Sequence, residues 1–240
     1  MPQRERDRKL YAVLIDADNI PARYAGAILK EITSFGEPAL RRVYGDWSSG
    51  QLRNWSETVR AHGLVAKQET ANTKGKNASD IGLVIDAMDI LHTGRFDGFV
   101  LVSSDSDFTA LANRVREDGL DVIGIGEGKA PESLRNVCNR FILIENIVDE
   151  PAPSAKGPTA TKSGKLPPSD AIPLILKAMD KIPQDDEWYA LGPLGQYIVA
   201  DNPDFDTRTY GKQKLSDLVQ DLKRFETRKT GNQLHIRRID

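Results

Sequence analysis

The chain has 240 residues, 39% hydrophobic and 28% charged, with 33 basic and 35 acidic side chains and a net charge of −2. That length accommodates one large or two modest domains, and the near-balanced charge leaves any nucleic-acid affinity to local patches. No run approaches the roughly 20 apolar residues of a bilayer span, and the charged start MPQRERDRKL has no apolar region behind it. The single cysteine, Cys138, can form no internal disulfide and has no metal-ligand spacing around it. A cytoplasmic protein with no membrane partner is expected.

Up to residue 148, short apolar runs alternate with helix-like stretches. The runs are 11–15, 40–44, 64–66, 99–102, 122–125 and 141–144. Apolar residues three and four apart predict helices at Ile28-Leu29-Ile32 and at Ile81-Val84-Ile85-Met88-Leu91. Strand and helix repeated in this way predict an α/β fold with a mostly parallel sheet flanked by helices. Such sheets bind ligands at the carboxyl ends of their strands, where the strand order reverses.

Three carboxylate positions fall where that rule places a ligand. Asp16 and Asp18 follow the first run in YAVLIDADNIP, and Asp105 and Asp107 follow the fourth in FVLVSSDSDF. Asp80 opens the helix of KNASDIGLVIDAMDIL, with Asn77 and Ser79 as candidate N-caps. Carboxylates gathered together repel and raise one another's pKa. A hard divalent cation resolves that conflict, and an all-oxygen set suits Mg²⁺ or Mn²⁺. Such a site, without a glycine loop to cradle phosphate, fits phosphodiester hydrolysis. Asn19, Ser103 and Ser104 stand beside it as polar groups able to position water or phosphate. The plainer reading remains for each residue alone: Asp18 and Asp107 can be helix caps, and Asp86 and Asp89 a solvated helix face. Asp16-Ala17-Asp18 also resembles the nucleophile motif of haloacid-dehalogenase-type phosphatases. That motif wants Thr or Val where Ile20 stands, and a lysine that residues 99–104 lack.

Residues 10–148 resemble a NYN domain of the LabA-like group, in the PIN-like nuclease superfamily. LIDADNIP, VYGDW, the K-x-x-x-D segment at residues 76–80, LVSSDSDF and SLRNVCNRFI carry the likeness, in that order. The resemblance implies a PIN-like sheet and metal-dependent cleavage of RNA, endonucleolytic in expectation. It assigns metal-site roles to Asp16, Asp80 and Asp105, a supporting role to Asp107 and a polar role to Asn19. Tyr44 and Trp47 follow the second run and offer base stacking, or packing at the sheet edge. Lys74 and Lys76 offer phosphate contact, or mere solvation. Gly126 and Gly128 read as a turn leading to a helix start at Pro131, and Cys138 as a small core residue.

Residues 149–169, with five prolines and three lysines, read as a flexible linker. Residues 170–240 open with an apolar helical stretch and close on FETRKTGNQLHIRRI, two strands about the turn Thr230-Gly231-Asn232. Helices followed by a hairpin describe a small α+β winged helix. The segment resembles an OST-HTH (LOTUS) domain, with Pro203, Phe205, Tyr210-Gly211 and Leu215 on its pattern. From residue 206 onward nine residues are basic and five acidic, against two and seven over 170–204. Lys212, Lys214, Arg228, Lys229 and Arg237, with Lys223, Arg224 and Arg238, form a candidate phosphate-binding patch. The resemblance implies RNA as partner, and a protein partner through the LOTUS domain as a second. The whole predicts a ribonuclease with a tethered RNA-binding domain, the alternative being an RNA-binding regulator or adaptor with little turnover.

Overall fold

The computed structural model describes residues 7–48, 52–68, 78–148, 165–184 and 186–239. The chain divides into two compact units, Met1–Asp149 and Glu150–Asp240.

In the first unit six strands form one parallel sheet: β1 (Leu10–Asp16), β2 (Glu37–Gly45), β3 (Val65–Gln68), β4 (Gly98–Val102), β5 (Asp121–Gly126) and β6 (Arg140–Leu143). Their order is β3-β2-β1-β4-β5-β6. Helices α1 (Ala25–Ile32) and α2 (Arg53–His62) pack on one face, and α3 (Ala78–His92), α4 (Thr109–Glu117) and α5 (Glu132–Val137) on the other. All six apolar runs of the sequence contribute to these strands. A parallel strand between two helical layers is buried on both sides, so it carries an unbroken apolar run. Side chains of β1 alternate between the layers: Tyr11, Val13 and Ile15 join α1 and α2, while Ala12 and Leu14 join α3, α4 and α5. That alternation sends Ala17 into the α1 layer and leaves Asp16 on the α3 side.

The helix expected over residues 81–91 is present as α3, with Val84, Met88 and Leu91 of its pattern at the core. Leu83, Ala87, Ile90 and Leu91 are buried, whereas Ile81 and Ile85 are 59% and 58% exposed. Apolar residues surround this helix, so spacing alone did not select its inner face. Asp86 is not a solvated residue either. Its carboxylate accepts hydrogen bonds from the Arg42 guanidinium and the Tyr44 hydroxyl, with Lys67 at 3.8 Å. Cys138 is buried in the core as expected, and burial pushes its thiol up to about 12. Pro131 caps α5, closing the turn that follows β5.

The second unit packs α6 (Ile172–Lys181), α7 (Leu191–Asp201) and α8 (Leu215–Asp221) against an antiparallel sheet. Its order is β7-β9-β8, with β7 (Tyr189–Ala190), β8 (Phe225–Thr230) and β9 (Gln233–Arg238). Thr230 pairs with Gln233 across a two-residue turn in which Gly231 takes φ +59°, a conformation that favours glycine. Phe205 and Tyr210 meet in the core with ring centroids 5.9 Å apart. The two-residue strand β7 was not foreseen in the sequence. The unit also begins before the expected boundary at 170: the Leu166 amide donates to the Thr209 carbonyl, and Pro168–Ala171 form a 3-10 turn. The rest of the expected linker, residues 149–164, lies outside the described residues.

Asp86→Ala strips a fully buried tyrosine hydroxyl and a half-buried guanidinium of their shared acceptor. It is expected to lower the stability of the first unit by about 2 kcal/mol. Asp89→Ala, at an exposed carboxylate of the same helix, should stay within about 0.5 kcal/mol in the same denaturation series.

Candidate metal centre and nucleic-acid surface

Strands β1 and β4 lie side by side, with β2 beyond one and β5 beyond the other, so the order reverses between them. Their carboxyl ends open the crevice where doubly wound sheets take ligands. Both ends are acidic, and hydrogen bonds join the loops that leave them.

Asp16 is 4% exposed. Its Oδ1 accepts from the amides of Asp18 at 3.1 Å and Asn19 at 3.2 Å, and its Oδ2 from the Ser103 hydroxyl at 2.8 Å. The Ser103 Oγ in turn accepts from the Asp105 amide at 3.1 Å. Asn19 Oδ1 accepts from the Ser104 amide at 3.3 Å, and Ser104 Oγ from the Glu127 amide at 2.8 Å. The loops after β1, β4 and β5 are thereby tied to one another. Their closeness requires a glycine at 126, where a Cβ would stand 2.6 Å from the Ser103 carbonyl oxygen.

Asp105, not Asp107, is the capping residue here. It accepts from the Asp107 amide at 3.0 Å and opens the 3-10 turn Ser106–Phe108, an element that precedes α4 and was not foreseen. Asp80 lies in the first turn of α3, as expected. Ser79 sits inside that helix, and its hydroxyl donates to Asp18 at 2.8 Å. Asp18 therefore caps no helix: the turn Ala22–Tyr24 begins after Pro21, with no side-chain cap. Asn77, the other candidate cap of α3, falls outside the described residues.

Among the described residues, Asp80, Asp105 and Asp107 each offer a carboxylate oxygen within 4.8 Å of the other two. Asp16 stands outside that set, close enough for the Asp80 charge to act on it. Burial pushes the Asp16 carboxyl up to about 6; the Ser103 and Asn19 hydrogen bonds oppose this, and the charges of Asp80 and Asp18 add to it. Asp80 is raised by burial first, then by Asp105, Asp107 and Asp18. An all-carboxylate set gathered this closely has the chemistry of a hard divalent-cation site. The phosphatase alternative fares worse, because both oxygens of Asp16 are already engaged by donors.

Other site candidates separate by burial. Tyr44 is 1% exposed with its hydroxyl on Asp86, so its ring packs in the core and has no face for a base. Burial, then Asp86, holds its phenol well above the usual range. Trp47 is half-buried, and its indole N–H donates to the Lys67 carbonyl at 2.7 Å. Ser103 and Ser104 are buried, their hydroxyls used within the loops. Lys74 and Lys76 lie outside the described residues.

On the second unit Lys212 pairs with Asp221 at 2.8 Å, and Arg237 with Glu226 at 2.7 Å and Glu187 at 3.4 Å. Lys214, Arg228 and Lys229 are exposed and carry no ion pair among the described residues. Arg228 and Arg237 both lie over the ring of Trp188, a residue the sequence reading did not single out. Only the register of three strands brings these side chains together.

A carboxyl raised in the folded state binds its proton more tightly there than in the unfolded chain. Stability from Asp16 therefore falls as pH rises from about 4 to about 6 and stays low above that. Metal-free Asp16→Asn is expected to be more stable than the parent at pH 7 by about 2 kcal/mol. The gain should shrink toward zero at pH 4, as read from denaturation at the two pH values.

The NYN domain family matches residues 11–145, and the OST-HTH/LOTUS domain family matches residues 165–236. No curated protein matches the chain. A solved protein of unknown function from Vibrio parahaemolyticus shares 21% identity over 59% of this chain and 96% of its own, with a TM-score of 0.49. An uncharacterised protein from Nitrosomonas europaea shares 31% identity over 39% of this chain and 93% of its own, TM-score 0.26. MurG of Acinetobacter baumannii is 10% identical over 87% of this chain and 68% of its own, TM-score 0.38. The NYN match spans more than half of the sequence, and the carboxylates at the sheet's reversal point lie within it. The chain belongs to the NYN domain family and carries an OST-HTH/LOTUS domain behind it.

Proposed function

We propose that the protein is a ribonuclease that cleaves RNA phosphodiesters with Mg²⁺ or Mn²⁺, its second unit recruiting the substrate. The convergence of Asp80, Asp105 and Asp107 at the end of β4 and the start of α3 carries this reading. These three would hold the cation, with Asp16 completing the negative charge beneath them. A divalent ion there supplies neutralisation of charge on the phosphate and activation of water.

The remaining groups act on the chain itself. Ser103 and the amides of Asp18 and Asn19 fix the orientation of Asp16. Asn19 holds the Ser104 amide and so sets where the Asp105 loop starts. Ser103 and Asn19 thus act as positioning residues rather than contacts to RNA. Lys214, Arg228 and Lys229 supply phosphate contacts that are independent of sequence and sensitive to salt. Joining the two units in one chain raises the concentration of RNA at the acidic site. Trp47, half-exposed after β2, is the aromatic candidate near that site.

Incubation of an unstructured RNA with the full chain and Mn²⁺ tests the reading. Asp80→Asn and Asp105→Asn should each lower cleavage by about 100-fold or more, since each removes several kcal/mol of charge stabilisation. EDTA should abolish cleavage, and Mn²⁺ should raise the thermal transition of the parent more than that of either variant. Equal cleavage by parent and variants would overturn the nuclease assignment. RNA binding without metal-dependent cleavage would leave an adaptor instead.

A further inference from the structure

The outer face of the β7-β9-β8 sheet carries a side-chain cluster that the core of the unit does not use. Arg228 pairs with His235 and Glu226 with Arg237 across β8 and β9, while Ala190 of β7 pairs with His235. Side chains alternate along a strand, so Arg228, His235 and Arg237 share the face opposite the buried Phe225 and Ile236. Trp188, two residues before Ala190, belongs to that same face.

The Arg228 guanidinium carbon lies 4.3 Å from the centroid of the Trp188 ring, and that of Arg237 lies 5.0 Å away. Strand β9 separates β7 from β8, so Trp188 and Arg228 start two strand spacings apart, roughly 10 Å. The Arg228 and Trp188 side chains meet only by spanning β9. His235, on β9 between them, has a buried Nδ1 with no hydrogen-bond partner among the described residues.

Charge on this face is unevenly answered. Arg237 is braced by Glu226 at 2.7 Å and Glu187 at 3.4 Å. Arg228 is exposed and has no carboxylate partner among the described residues. Two guanidinium groups beside one indole, one of them without a counter-charge, make the face complementary to an anion that also offers a flat apolar surface.

We propose that this sheet face docks unpaired RNA, with a base stacked on Trp188 and an adjoining phosphate held by Arg228. Every base has a π-face, so an aromatic ring flanked by cations suits single strands. A duplex keeps its bases stacked inside and offers the indole none. The proposal rests on the second unit recruiting RNA, and it assigns the contact to the sheet rather than to α8.

The test uses the full chain with Asp80→Asn and Asp105→Asn, in EDTA, so that binding is read without cleavage. Anisotropy of a short labelled unstructured RNA should show Trp188→Ala binding about tenfold more weakly and Trp188→Phe close to the parent. Arg228→Gln should weaken binding and lower the slope of log affinity against log salt by about one. Affinity for a duplex should not change with Trp188→Ala. Circular dichroism melts check that each variant folds; if Trp188→Ala does not, Arg228→Gln and the salt slope decide. Parent-like single-strand binding by Arg228→Gln and by the folded Trp188→Ala would overturn the proposal. So would equal loss of single-strand and duplex binding in Trp188→Ala, or a parent chain that binds no RNA. Variants that bind RNA normally but lose an acidic protein partner would also overturn it, and would assign the face to that partner. Absence of cleavage by the unmutated chain bears on the nuclease assignment alone, since binding is measured without it.

Discussion

The first unit is organised around negative charge concentrated at the carboxyl ends of its central strands. Asp80, Asp105 and Asp107 are held within reach of a common point, and Asp16 lies buried beside them. Nothing about a sheet end favours such a cluster, and repulsion and desolvation both oppose it. It persists because the surrounding parts are fixed for other reasons. The strands are buried on both faces, and the loops leaving them are joined by Ser103, Ser104 and Asn19. Gly126 lets the β5 end come close enough for that joining to occur. On the proposed reading, a cation would meet carboxylates already held in place.

Asp80 depends on a second anchor that lies away from the crevice. Asp86 stands six residues further along α3, about 9 Å up the helix axis. It ties that helix to Arg42 and Tyr44 of β2 and approaches Lys67 of β3. Tyr44 is the last partner of Asp16 in the β1–β2 register, so one tyrosine serves both the sheet and the helix. Helix α3 is thus clamped sideways by a polar contact and inward by Leu83, Ala87 and Ile90. Its freedom to slide, and with it the position of Asp80, is removed.

Much of this was legible in the sequence, for physical reasons that also explain the omissions. Doubly buried parallel strands announce themselves as apolar runs, and acidic residues at their ends stand out against that background. Contacts between distant segments leave no such mark. Asp86 looked like a solvated residue because its partners are more than 40 positions away. Tyr44 offered stacking on paper, and only its burial showed otherwise. Helix α3 was legible as a helix but its inner face was not, because apolar residues lie on most sides and the sheet selects which are buried. The plainer reading of Asp107 as a helix cap did not anticipate the 3-10 turn capped by Asp105, which pairwise spacing does not encode. Trp188 escaped for a similar reason, since its neighbours come from the register of β7, β9 and β8. The winged-helix hairpin, by contrast, was plain from its two-residue turn at Gly231.

The two units use opposite electrostatic strategies. The first concentrates carboxylates at the ends of buried strands, whereas the second exposes cations, Lys214, Arg228 and Lys229, that have no ion pair among the described residues. The core of the first also carries an unused chemical handle. Cys138 is the only thiol in 240 residues, and burial keeps it protonated at neutral pH. Thiolate is the species that alkylating dyes attack, so the folded protein is silent toward them. A cysteine introduced at any exposed position would then be the sole attachment point, with no native residue to remove. One such label on each unit would turn the separation of the two units, with and without RNA, into a measurable distance.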